Sequence, residues 1–170
     1  MIPRFGEPPE ARRHRLRPGA YALLVRDGRV LLTLQHAPQR EYQLPGGGID
    51  PGESQQQALH REVLEETGWR IGYLRHLGSY RRFCFMPDYD FWAEKLCTIW
   101  LARPVLRMGP PREPGHDAIW APIWQVPSLL VDAGSRAFAL RHLDHGGGTG
   151  GAGRRSISTA EMSSWRRPPA

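Results

Sequence analysis

The chain reads as an α/β sandwich, and three observations predict it: several apolar, strand-like runs, two helical stretches, and a glycine loop leading into the first helix. At 170 residues it has room for one globular domain with a sizeable core.

Gly19 to Arg26 and Arg29 to Gln35 are apolar runs on either side of Asp27-Gly28. That dipeptide signals a hairpin, because Asp and Gly tolerate the positive φ that tight turns need. A Pro/Gly-rich loop over Gln43 to Gly52 follows, then a helix. Ser54 and Gln57 fit a capping box at its start, and Gly68 is placed to end it in a left-handed conformation. Trp69 to Phe85 and Phe91 to Val105 read as long strands joined at Met86 to Asp90. A short strand is expected at Ala118 to Ala121, and a last helix at about Gly134 to His142, with Phe138, Leu140 and Leu143 as core contacts.

The ends differ from the middle. Residues 1–16, rich in Pro and Arg, are expected to form a flexible arm, residues 17–144 the working domain, and residues 145–170 a disordered Gly/Arg-rich tail. The net charge of +6 follows the same division. Residues 1–20 carry five Arg and two Glu, residues 146–170 four Arg and one Glu, and the span between nets to zero. A nucleic-acid groove built into the fold would concentrate the excess centrally, so the composition argues against nucleic-acid binding by the folded body. No apolar run is long enough to span a bilayer, and the first 18 residues lack the apolar stretch of a signal peptide. Cys84 and Cys97 lie in strand-like stretches and are expected as reduced, buried thiols, which makes a cytoplasmic protein the default.

The chemistry concentrates between Gly47 and Trp69. The segment runs Gly47-Gly48-Ile49-Asp50-Pro51-Gly52-Glu53, seven further residues, then Arg61-Glu62-Val63-Leu64-Glu65-Glu66-Thr67-Gly68-Trp69. At about 100° per residue, Glu62, Glu65 and Glu66 fall within roughly one 100° arc of the helix, with Ala58 between them. Carboxylates crowded on one face repel and weaken a helix. A hard divalent cation such as magnesium, which takes oxygen ligands, would offset that repulsion. Gly46, Gly47 and Gly48 let main chain approach a ligand closely, and the helix N-terminus that follows favours anions. A cation-holding face beside such a loop suits metal-assisted attack on a diphosphate.

This segment resembles the Nudix box: Gly, five residues, Glu, seven residues, Arg-Glu, an aliphatic, any residue, Glu-Glu, any residue, Gly, and an apolar residue. Trp69 is bulkier than the usual last residue. The resemblance implies an α/β/α sandwich with a mixed β-sheet. It implies Mg2+ held by Glu62 and Glu66, with Mn2+ as a substitute, Glu65 assisting or binding a further ion, and the Gly47 carbonyl as an added ligand. Arg61 would orient the carboxylates as part of the catalytic set with Glu62 and Glu65. Glu53 would brace the loop, and Gly68 would close the helix.

Outside the box the general base is open among Glu62 itself, Glu94, Glu113, Asp117 and His116. A lysine commonly follows the opening glycine in nucleotide-sanitising members, and Gly48 stands there instead. Phosphate contacts would then fall to Arg26, Arg40, Arg81, Arg82 or Lys95, and base stacking to Tyr42, Tyr80, Tyr89, Phe91 or Trp92. Of these, Arg81, Arg82 and Tyr89 are the substrate-binding candidates, while the offsets of Pro87 and Tyr89 from the box select no substrate class. The expected function is Mg-dependent hydrolysis of a diphosphate linkage in a nucleoside diphosphate derivative by water attack at phosphorus. The alternatives are a catalytically silent Nudix-fold nucleotide sensor and an RNA 5′-end pyrophosphohydrolase. A small nucleotide-like substrate and no membrane partner are expected, and the resemblance leaves room for a homodimer.

Overall fold

The structure is a computed structural model and describes residues 1–8, 14–86 and 90–143. Its elements are β1 (Arg4–Phe5), β2 (His14–Arg26), β3 (Arg29–Gln35), β4 (Glu41–Gln43), β5 (Gly46–Gly48), α1 (Gln55–Thr67), β6 (Trp69–Met86), β7 (Phe91–Arg107), β8 (His116–Pro122), α2 (Val126–Leu129) and α3 (Ala133–His142). The strands form one mixed sheet in the order β1-β6-β7-β2-β3-β4, with β5 added on β2 and β8 on β3. β2 runs parallel to β7, and β1 parallel to β6; the other pairs are antiparallel.

Alternation along β2 sorts the core into two layers. Ala20, Ala22 and Leu24 face α1 and pack with Leu31, Leu59, Val63 and Ala102. Leu23 and Val25 face the other way, into a layer with Ile99, Leu101, Leu130 and Phe138 beneath α3. The α/β/α sandwich follows from this period-two pattern meeting a helix on each face of the sheet. Leu59 and Val63 are fully buried, and truncating Leu59 to Ala should cost about 2–5 kcal/mol. The β2–β3 hairpin turns at Asp27 and Gly28, with φ of 48° and 73°, as the dipeptide requires. β6 is long but not straight: register shifts at Arg70/Ile71, Gly72/Arg75 and His76/Gly78 bend it against β7.

Three expectations need amending. The Gln43–Gly52 loop starts on the last residue of β4 and contains β5, in which Gly46, Gly47 and Gly48 are paired across from Tyr21, Ala20 and Gly19 of β2. The glycines there form a pinned strand rather than a free loop. The segment read as an arm contributes β1, paired to Arg81 and Arg82 of β6, and β2 begins at His14. Leu140 is exposed on α3, while Phe138 and the C-cap residue Leu143 are buried; at about 100° per residue, Leu140 lies roughly 200° around the helix from Phe138, on the opposite face. Cys97 is buried and Cys84 partly buried, and both are free. Among the described residues no helix is long and apolar enough to cross a membrane. The tail over residues 145–170, with Pro87 and Tyr89, lies outside the described residues.

Candidate active site

Helix α1 is held at both ends by the residues its sequence advertised. The Ser54 hydroxyl accepts from the Gln57 amide, and the Gln57 side chain accepts from the Ser54 amide. At the other end Gly68 adopts φ 74°, and its amide donates to the Leu64 carbonyl. With its ends set, the helix presents Glu62, Glu65 and Glu66 at increasing and decreasing depth: their side chains are 14%, 43% and 8% exposed.

The glycines of β5 bring main chain onto those carboxylates. The Gly46 amide donates to Glu66 Oε2 at 3.0 Å. Gly46 sits at φ 136°, and a side chain there would run into the Ala20 carbonyl, so glycine is required. Gly47 lies directly on the Glu62 carboxylate, and Gly19 leaves space in front of the Gly47 carbonyl oxygen, which an added Cβ would approach to 2.7 Å.

Arg61 ties the box together. Its Nε and NH2 grip the two oxygens of Glu53 at 2.8 and 2.9 Å, a bidentate pair. Its NH1 donates to Glu62 Oε1 at 2.8 Å and, at 3.4 Å, to Glu65; its NH2 also reaches the Gly48 carbonyl at 3.1 Å. Glu53 in turn accepts from the Asp50 amide, closing the turn ahead of the helix.

Electrostatics at this cluster are unbalanced. Burial raises the Glu62 carboxyl above its ordinary value; the Arg61 hydrogen bond and charge offset part of that, and Glu113 and Glu65 add to it. Burial pushes Glu66 well above the ordinary carboxylate range, the Gly46 amide pulls it back in part, and Glu113, Glu62 and Glu65 push further. These carboxylates are better suited to holding a cation than to standing alone.

The segment after β7 was weighed only as a source of bases, and it proves to dock on the helix. The amides of Arg112 and Glu113 donate to the Glu65 carbonyl at 2.7 and 3.0 Å, and the Met108 amide to the Gly68 carbonyl at 2.8 Å. Glu66, Glu113 and His116 thereby offer ligand atoms that all lie within 4.8 Å of one another. The neighbouring Asp117 points off the cluster and pairs with His36 at 2.8 Å. Glu94 is bound by Arg4 at 2.9 Å and Arg81 at 3.2 Å. Arg81 is thus engaged away from the box.

Arg82 faces the α3 layer, in a cleft lined with Tyr21, Tyr42, Tyr80, Asp132 and Ser135. The Tyr80 hydroxyl donates to Asp132 and lies 2.9 Å from the Ser135 hydroxyl, and Asp132 also caps α3 through the Ser135 amide. Tyr80 is therefore core as well as cleft. Arg26 stacks on Trp69 at the far end of α1, which in turn meets Trp120 edge-on. The bulky last residue of the box thus has an aromatic partner on β8.

Comparisons with known proteins supply the family. A protein of Bacillus subtilis (strain 168) provisionally named 8-oxo-dGTP diphosphatase is 36% identical over 70 residues, covering 41% of this chain and 47% of its own. The RNA pyrophosphohydrolase of Pectobacterium carotovorum subsp. carotovorum is 43% identical over 58 residues, covering 34% and 32%. The chain therefore spans from about a third to about half of these curated relatives. The crystal structure of a MutT NUDIX hydrolase from Burkholderia pseudomallei superposes with a TM-score of 0.61 at 25% identity, covering 75% of this chain and 98% of that one. The family model for the NUDIX domain matches residues 14–141, from the first residue of β2 into the last turn of α3, and the chain belongs to the Nudix family.

Proposed function

We propose that this chain hydrolyses the diphosphate linkage of a nucleoside diphosphate derivative, with Mg2+ as the working ion and Mn2+ as a substitute. One observation carries the reading: two largely buried carboxylates, Glu62 and Glu66, lie against the glycine backbone of β5, and burial raises both. The donors fit a hard divalent ion, being carboxylate oxygens with space kept open before the Gly47 carbonyl by the bare Gly19. Glu62, Glu66 and Glu65 would hold it, together with that carbonyl. A divalent ion there neutralises phosphate charge and lowers the pKa of a bound water.

The chain's own residues supply the rest. Arg61 fixes Glu62 in one rotamer while anchored on Glu53, so the carboxylate is set before substrate arrives. Water oxygen bonds to phosphorus, the bridging anhydride oxygen leaves with the bond pair, and the water proton passes to a carboxylate of the cluster. The free cysteines support a reducing compartment, and we place the activity in the cytoplasm.

A panel of nucleoside triphosphates, ADP-ribose, dinucleoside polyphosphates, nucleotide sugars and 5′-triphosphate RNA, each with Mg2+, tests the proposal. Turnover of at least one compound is expected, with Glu62→Gln and Glu66→Gln each lowering it by at least about 10-fold. Inactivity of the unaltered protein across the panel would leave the sensor reading. The relative named RNA pyrophosphohydrolase favours RNA ends as a second reading. On that reading, deleting residues 146–170, with their four Arg, should weaken RNA turnover and flatten its salt dependence.

A further inference from the structure

We propose that His116 is a nitrogen ligand for a divalent ion shared with Glu66 and Glu113, making this a mixed imidazole–carboxylate centre that prefers Mn2+ to Mg2+. The proposal rests on the metal-dependent reading above and goes beyond the carboxylates of the box.

The His116 and Glu66 side chains are 9% and 8% exposed, so neither can rely on bulk water for solvation. His116 Nδ1 lies 3.4 Å from the Pro114 carbonyl oxygen. A carbonyl only accepts, so Nδ1 carries the hydrogen in that contact, and in the neutral ring Nε2 is left with its lone pair. That Nε2 faces Glu66 Oε1 at 3.8 Å, too far for a hydrogen bond. A nitrogen lone pair facing a carboxylate oxygen at this separation is an opposition that a proton or a metal ion between them relieves, and the second carboxylate, Glu113, makes the place a fit for the metal ion. The other oxygen of Glu66 is already used by the Gly46 amide, which leaves Oε1 for that cation.

The spacing suits a metal. Ligands on opposite sides of a small divalent ion, each at about 2.1 Å, stand about 4.2 Å apart. The three candidate atoms lie within 4.8 Å of one another. A metal-bound histidine also characteristically donates its second N–H to a carbonyl or carboxylate. The Pro114 carbonyl occupies that position, with Glu113 Oε1 3.9 Å from the same nitrogen. The loop is not free to drift, since the Arg112 and Glu113 amides are bonded to the Glu65 carbonyl of α1. Mn2+ shares the preference of Mg2+ for carboxylate oxygens but, as a first-row transition ion, gains more from an added imidazole nitrogen, whereas Mg2+ takes oxygen.

Mn2+ titration of the full chain, followed by paramagnetic resonance, tests this without relying on turnover. Expected are Mn2+ binding with a 14N coupling from a ligating imidazole, and at least about 10-fold tighter binding of Mn2+ than of Mg2+ in competition. His116→Gln should abolish the 14N coupling and weaken Mn2+ binding by at least about 10-fold. Glu113→Gln, with His116 intact, should weaken Mn2+ binding and keep the coupling. Thermal unfolding of each metal-free variant shows that its fold is retained. Mn2+ bound without 14N coupling, or a Mn2+ affinity unchanged by His116→Gln, would overturn the proposal and leave the hydrolase reading standing. Failure of the unaltered protein to bind either ion would remove both.

Discussion

Gly47 lies against Glu62 so closely that a Cβ on the glycine would sit 2.5 Å from the Glu62 carboxyl carbon. The contact explains why a glycine opens the box: it leaves the space in which the carboxylate lies. Gly47→Ala should therefore push Glu62 off its Arg61 contact without touching the hydrophobic core. Turnover should fall by at least about 10-fold while the melting temperature stays within a few degrees. Gly48→Ala is the control, since its added methyl meets nothing within 4 Å and should cost far less.

Glu53 gives a pH signature that does not depend on any ion. Its hydrogen bonds from Arg61, with the Asp50 amide and the Arg61 charge, hold its carboxyl at about 2 against an ordinary 4.5. The folded state thus binds the proton less tightly than the unfolded chain, so the contribution is full above pH 4.5 and disappears as pH falls towards 2. Melting temperatures of the wild type and Glu53→Gln should differ by a constant amount at neutral pH and converge across that acidic window. A gap that persists unchanged at the acid end would show that the Arg61 pairing is not its source.

Much of this was legible in the chain because the determinants are local. Ser54 and Gln57 lie within one helical turn, Asp27-Gly28 forms a turn unaided, and the spacing of Glu62, Glu65 and Glu66 defines a helix face wherever the helix sits. The features that escaped are those whose partners lie far away in sequence. The strand over Gly46–Gly48 exists because Ala20 and Tyr21 pair with it, and glycines alone carry no strand propensity. His116 reaches Glu66 only because the loop ahead of it is bonded to the Glu65 carbonyl, a main-chain contact that no side-chain pattern announces. Trp69, a departure from the usual box ending, becomes intelligible once Trp120 of β8 is seen edge-on against it.

Gly68 links helix stability to that loop. It holds φ 74°, and an added Cβ would lie 2.1 Å from the Gly109 carbonyl oxygen, while its own carbonyl accepts from Met108. Gly68→Ala should thus cost more than the usual penalty for alanine in a left-handed cap, about 1–3 kcal/mol in all, because the opposing atom is main chain. Thermal unfolding of the metal-free protein should report it as a drop of roughly 3–10 °C for a domain of this size. A smaller shift would mean that the loop yields easily, and would weaken the view that it holds Glu113 and His116 in place.

Glu94 and Glu113 were equal candidates for the base on residue type alone, and the structure separates them. Glu94 is largely buried, which by itself would raise its carboxyl, but the hydrogen bonds and charges of Arg4 and Arg81 outweigh this and lower it. A carboxylate so stabilised as an anion is a poor proton acceptor, and both arginines occupy the same oxygen, Oε1. Glu113 instead stands beside Glu66, raising its carboxyl and sharing the His116 contact. Glu94→Gln should therefore leave turnover within about threefold while loosening β1 from β6, seen as faster amide exchange at Arg81. Glu113→Gln should lower turnover by about 10-fold or more with β1 undisturbed. The reverse pattern, with Glu94→Gln inactive and Glu113→Gln unaffected, would move the chemistry to the other end of the sheet and contradict the assignment of the cluster on α1.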